Sequence, residues 1–219
     1  KKVTEEMTKN GAWELLASVR ALNHPAAVAI HLPWLAAHRD DALLTRPAAR
    51  AARDLCAAPS HLPGFLAPTP DSPLRTVEEE LKEVRATPAD VVRRDLQACF
   101  PDTLPESLKP LMRAPRRELG RTVDQLEAYW DRTLAPHFPR LRAILQSDIH
   151  HRARTLTERG PATMFADIHP DLTFDPAAGR LAIAQRELSP ADAHRSLDGR
   201  GLVLVPSAFA WPRVWVKTA

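Results

Sequence analysis

The stretch that decides how this chain is read runs Asp198-Gly-Arg-Gly-Leu-Val-Leu-Val-Pro-Ser-Ala-Phe-Ala-Trp-Pro-Arg-Val-Trp-Val-Lys217. Its opening Asp-Gly pair suits a tight turn, because glycine accepts positive φ without a Cβ clash. Residues 202–205 are four consecutive apolar residues, two of them β-branched. The run is too short for a helix and has the character of a strand buried on both faces. Pro206 has no N–H for a ladder and belongs at a bulge or on an unpaired side. Phe209, Trp211 and Trp215 then place three large aromatic residues within seven positions. They read as a core plug or as the wall of a ligand site. Leu202 and Leu204 or their strand neighbours, and either Trp211 or Trp215, are therefore expected to be largely buried against Trp130 and the helix that carries it.

The segment just upstream has the same strand-like character. Residues 167–171 break a helix, 172–174 and 181–184 read as short strands, and 176–179 form the turn between them. With the closing hairpin this predicts about four short, mostly antiparallel strands over 171–217. Everything before is helical in period. Residues 12–22, 25–32, 33–39 and 47–58 read as helices, three of them opened by Pro25, Pro33 and Pro47. A proline-rich loop over 59–72 carries apolar anchors at Leu62, Phe65 and Leu66. Thr76 with Glu79 three residues on forms a capping-box signature for a helix to about residue 86, and Thr87-Pro88 starts another ending near Phe100. Leu119, Val123, Leu126, Trp130 and Leu134 mark the clearest amphipathic helix, over 116–134. Pro136 opens a long last helix, Gly160 stops it, and Pro161 begins a short turn through Met164, Phe165 and Ile168. The fold class is α+β: one predominantly helical domain over 1–219, helical at 12–168, with a small C-terminal antiparallel sheet. Residues 1–10 are polar and read as a frayed end or a short edge strand.

The chain has 219 residues, 44% of them hydrophobic and 26% charged, an ordinary balance for a globular protein with a sizeable core. Its 21 prolines against 7 glycines are unusual, but most prolines stand where a helix begins. Cys56 and Cys99 lie far apart without CxxC spacing and are expected to be free, buried thiols in a reducing, cytoplasmic setting. No apolar run approaches the roughly 20 residues needed to span a bilayer, so no membrane partner is expected.

Signals for catalysis are absent from the sequence. No GxSxG, HExxH, GxGxxG or P-loop pattern occurs. His24, His31 and His38 are seven apart, whereas helical metal ligands need i, i+3 or i, i+4 spacing. Adjacent His150 and His151 point about 100° apart on a helix. Asp167, His169 and Asp171 could share one face only if extended, and Pro170 argues for a turn. No metal site, no cofactor and no enzyme activity are expected. Between Lys109 and Arg159 there are eleven Lys/Arg against six Asp/Glu. Arg113, Arg116, Arg117 and Arg121 cluster at the start of one helix, as a solvated face or as auxiliary phosphate contacts. The helix pair over 76–99 superficially resembles a helix-turn-helix, but Glu78, Glu79, Glu80 and Glu83 would repel phosphates.

The run Gly199-Arg-Gly-Leu-Val-Leu-Val-Pro-Ser-Ala-Phe-Ala-Trp-Pro212 resembles a hallmark of ArsR-like winged-helix transcriptional regulators of GC-rich bacteria. The likeness extends loosely through Leu66-Ala-Pro68, the helix around Leu81-Lys-Glu-Val-Arg-Ala-Thr-Pro88, and Ile168-His-Pro-Asp171. In such regulators the run closes a large helical N-terminal domain, and a winged helix-turn-helix follows. This chain stops at Ala219, where that domain would begin, and its first ten residues differ from the usual N-terminal strand. The resemblance implies an effector-sensing or dimerising regulatory domain, a homodimer, and DNA contact through a domain that is not in this chain. If the domain senses a small-molecule effector, its pocket is expected where the long helices meet the sheet, near Trp130, Phe209 and Trp211. The alternative is a binding protein or small enzyme with a pocket at that same junction.

Overall fold

A computed structural model describes residues 11–23, 31–38, 49–58, 62–68, 75–184, 194–199, 201–211 and 214–215. Expectations for residues 1–10, 25–30, His24, the Pro47 start and the far side of the closing hairpin lie outside these residues. The elements are α1 (Gly11–Asn23), α2 (Leu32–His38), α3 (Arg50–Cys56), α4 (Val77–Arg85), α5 (Ala89–Cys99), α6 (Lys109–Arg113), α7 (Pro115–Tyr129) and α8 (Phe138–Ile168). After them come β1 (Leu172–Asp175) and β2 (Arg180–Ile183). The fold is α+β and mainly helical, with a two-stranded antiparallel sheet near the C-terminus.

The centre of the molecule is α7. Its apolar residues recur every three or four positions, so Leu119, Val123 and Leu126 lie on one stripe and all are buried. Helices α3, α4, α5 and α6 pack around it, and α1 packs on α3 and α4. The result is one core that joins Leu15, Leu16 and Val19 of α1 to Leu55, Leu81, Val84, Leu96 and Tyr129. The Tyr129 hydroxyl lies 3.0 Å from that of Ser18, which itself donates to the Leu15 carbonyl at 2.7 Å. Tyr129 is therefore the donor of that pair, and a buried polar contact fixes α1 against α7.

Local sequence sets the element ends. Thr76 Oγ1 accepts from the Glu79 N–H at 3.3 Å, and Glu79 Oε2 accepts from the Thr76 N–H at 2.8 Å, completing the expected capping box. After Tyr129 the helix widens into a π-turn over Trp130–Leu134, where the Ala135 N–H reaches back five residues to the Trp130 carbonyl at 2.9 Å. Within α8, Gly160 leaves helical geometry at φ 82° and ψ 171°. Only glycine adopts that conformation at low cost, and the following Pro161 disfavours helix at the residue before it. The long helix therefore stops at Gly160, as its sequence indicated, and a second helical segment runs into β1.

The closing segment departs from expectation. Residues 202–205 form no strand, and among the described residues the sheet has two strands, 172–175 and 180–183, rather than four. Asp198, Gly199 and Gly201 have positive φ, as the Asp-Gly turn requires, and they turn the chain before the apolar run. The run then lies as an irregular strap over the helical body. Leu202 and Leu204 are half-buried, Val203 and Trp211 are exposed, and Phe209 is the buried anchor. An apolar run favours burial but does not secure it, and a strand also needs a ladder partner.

Candidate functional site

The strap is held by side chains rather than by a sheet ladder. Glu14, in the first turn of α1, is fully buried, and its Oε1 and Oε2 accept from the Ala208 N–H at 2.9 and 3.1 Å. The Ser207 side chain and the Phe209 N–H are further hydrogen-bond partners of the same carboxylate. Burial, partly opposed by these donors, raises the Glu14 carboxyl from 4.5 to about 7. On the other side of Ala208, His31 Nε2 donates to the Ala208 carbonyl at 2.7 Å. The two peptide units that flank Ala208 are thus gripped, one by its N–H and the other by its C=O, by side chains far away in sequence.

Aromatic packing extends the grip. The Phe209 ring lies 4.5 Å from His31 and 4.8 Å from Trp34, and Trp34 lies 4.8 Å from His38. Further along, Trp215 packs on Trp13 at 6.0 Å, and the Arg20 guanidinium sits 5.8 Å over its ring. Trp13 and Arg20 are two turns apart on one face of α1. Arg20 also donates to the Cys56 and Ala58 carbonyls, which ties this face to the end of α3.

A second buried carboxylate caps the start of α1. Glu80 Oε2 accepts from the Ala12 N–H at 2.9 Å, while its Oε1 is buried without a partner. Burial raises this carboxyl to about 7 as well, with the Ala12 bond and Arg75 opposing. The backbones meet closely here: a Cβ on Gly11 would lie 2.1 Å from Val77 Cγ2. Only glycine permits that approach.

The three aromatic residues expected to frame one effector pocket are not brought together. Trp130 packs edge-on against Phe138 at 4.7 Å. Phe209 belongs to the His31–Trp34 group. Trp211 is 48% exposed and meets the His169 ring at 5.5 Å. The junction of α8 with the sheet is filled instead by Phe165 against Phe174 at 5.2 Å, with Met164 and Leu172 buried beside them. Chain distance explains the miss, since these aromatics sit on elements whose relative placement no local pattern specifies.

Arg113, Arg116, Arg117 and Arg121 are all exposed around the start of α7. Arg117 Nε bonds Glu118 at 2.7 Å and Arg121 Nη1 bonds it at 3.2 Å, and the Arg117 bond leads in holding the Glu118 carboxyl below its usual range. Half of this basic cluster is therefore spent on a neighbouring carboxylate. Asp167 takes His151 Nε2 at 3.0 Å and Arg152 Nη1 at 2.8 Å, whereas His169 is buried and accepts the Asp171 N–H at 3.1 Å. The Asp167 contacts join the two segments of α8 across the Gly160 break, and the His169 contact shapes the turn into β1. Cys56 and Cys99 are free and buried, and burial pushes both thiols up to about 12.

Sequence reading missed Glu14, weighed His31 only as a metal ligand, and placed Glu80 in an acidic run that would face phosphates, whereas it is buried. The available signal was a carboxylate inside the apolar run Trp13-Glu14-Leu15-Leu16.

Fold and site together define a mainly helical α+β domain whose C-terminal strap is clamped by a buried carboxylate. A family model described as a family of unknown function (DUF5937) matches residues 104–219, slightly more than half the chain, and the chain belongs to that family. The matched span holds the strap and α7, while Glu14 and His31, which grip the strap, lie outside it. No curated protein and no solved structure matches the chain. Among the described residues no helix is long and apolar enough to cross a membrane.

Proposed function

We propose that this chain is the regulatory domain of a winged-helix DNA-binding transcriptional regulator. In this reading it senses an effector or dimerises, and DNA is read by a domain placed after residue 219. The observation that supports the reading is the docked strap. The run that carries the family resemblance is threaded back onto α1, with its Ala208 backbone held by Glu14 and His31. A change at α1 or α2 is thereby transmitted to the segment leading toward the reading head. Two-state docking of this kind is what couples a sensing body to a distant site. Exposed Arg113 and Arg116 add phosphate contacts that position DNA without reading its sequence.

The test compares two chains in a competition titration against operator and random DNA. Residues 1–219 alone should bind weakly, without sequence preference, and lose binding by physiological salt. The chain extended by its winged-helix domain should bind one operator selectively, as a dimer. Tight, sequence-selective binding by residues 1–219 would overturn the proposal, as would an extended chain with no preference.

A further inference from the structure

We propose that the strap over 201–211 is a proton-coupled latch, docked on the helical body while Glu14 is protonated and progressively released as Glu14 ionises. The inference stands on the geometry of the clamp and is independent of the regulator reading. Glu14 is the part of the clamp that must change its hydration when the strap moves. Docked, its carboxyl is fully buried beneath Ser207, Ala208 and Phe209; undocked, it loses those donors and meets water.

Docked, the carboxyl keeps its proton up to about 7; free in water it ionises near 4.5. Between those values each undocking event releases one proton from the Glu14 carboxyl to solvent, so rising pH favours release. Above about 7 both states are ionised and the dependence ends. His31 supplies the other half of the clamp. Its Nε2 faces a carbonyl, which can only accept, so Nε2 is the donor of that bond.

The other groups around Glu14 leave it in control. Described strap residues 201–211 carry no charged side chain. From the residue just before α2 the facing titratable group is His31. From α3, Cys56 stays a thiol, and Arg53 is engaged with Asn23 of α1. From α4, Glu80 binds the Ala12 N–H and titrates in the same range. Along α1 itself, Arg20 is turned to Cys56, Ala58 and Trp215.

The experiment is native-state amide hydrogen exchange on the 219-residue chain, read at Ala208 and Ala210 and corrected for intrinsic rates. The opening constant should rise about tenfold per pH unit between about pH 5 and pH 7 and then level off. The Glu14→Gln variant should be flat over that range, and Glu80→Gln should keep the slope. A flat wild type, or a slope that survives Glu14→Gln, would overturn the latch. Direct carboxyl-carbon titration of Glu14 in the wild type gives a second reading that needs no variant. A midpoint near 7, shared with the Ala208 amide proton, supports the latch; a midpoint near 4.5 sinks it.

Discussion

Helix α7 and the C-terminal strap are both rich in apolar residues, yet they are held by opposite means. In α7 the backbone satisfies its own hydrogen bonds, so side chains are left to fill the core, and Leu119, Val123 and Leu126 do so completely. Among its described residues the strap has no ladder and no helix, only a short turn at 208–211. Its Ala208 backbone relies on Glu14 and His31, and its aromatics are buried to unequal degrees, Phe209 fully and Trp211 only in part. Regular structure separates backbone satisfaction from packing, and irregular structure must solve both with the same few side chains. The strap is therefore the part of the molecule that a single ionisable group can control.

Breaking the α7 side of this contrast should have the largest effect. Leu126→Ala removes a fully buried side chain from the centre of the core and should cost about 2–5 kcal/mol of global stability, read by denaturant unfolding. A loss below about 1 kcal/mol would show that α7 is not the centre of packing.

Breaking the clamp should be milder and local. Glu14→Ala strands the Ala208 N–H and should cost about 1–3 kcal/mol. Amide exchange should accelerate over 207–210 far more than at Val123 or Leu126. Uniform acceleration across the chain would mean that the strap is part of the global core and not a separate unit.

The smallest change is expected at Trp211. Half-exposed and touching His169 edge-on, its replacement by Ala should shift stability by less than about 1 kcal/mol, well below a buried tryptophan. A loss comparable to that of Leu126→Ala would restore the sequence expectation that Trp211 plugs the core.

What the sequence revealed follows from the range of the forces involved. The ends of α4 are legible because Thr76 and Glu79 cap each other within one turn, and the stop in α8 because Gly160 and Pro161 act on adjacent dihedrals. The stripe of α7 is legible because its 3.6-residue period is local. The strap misleads because its Leu-Val-Leu-Val run has the composition of a buried strand, yet it is at most half-buried and pairs with no strand among the described residues. Glu14 escaped notice for a related reason. An acidic residue in a first helical turn is ordinary, since it complements the helix dipole. Its real partner, Ala208, is 194 residues away. The pocket expected from Trp130, Phe209 and Trp211 failed similarly, because composition named the aromatics but not their neighbours.

The central claim is that residues 207–215 lie docked on α1 and α2 through the Glu14 clamp. Side-chain nuclear Overhauser contacts in solution test it most directly. The account predicts contacts from Phe209 to His31 and Trp34, and from Trp215 to Trp13, in the wild type at pH 6. All of them should weaken together in Glu14→Ala. Absence of both sets in a folded wild-type chain, or their full persistence in the variant, would contradict it.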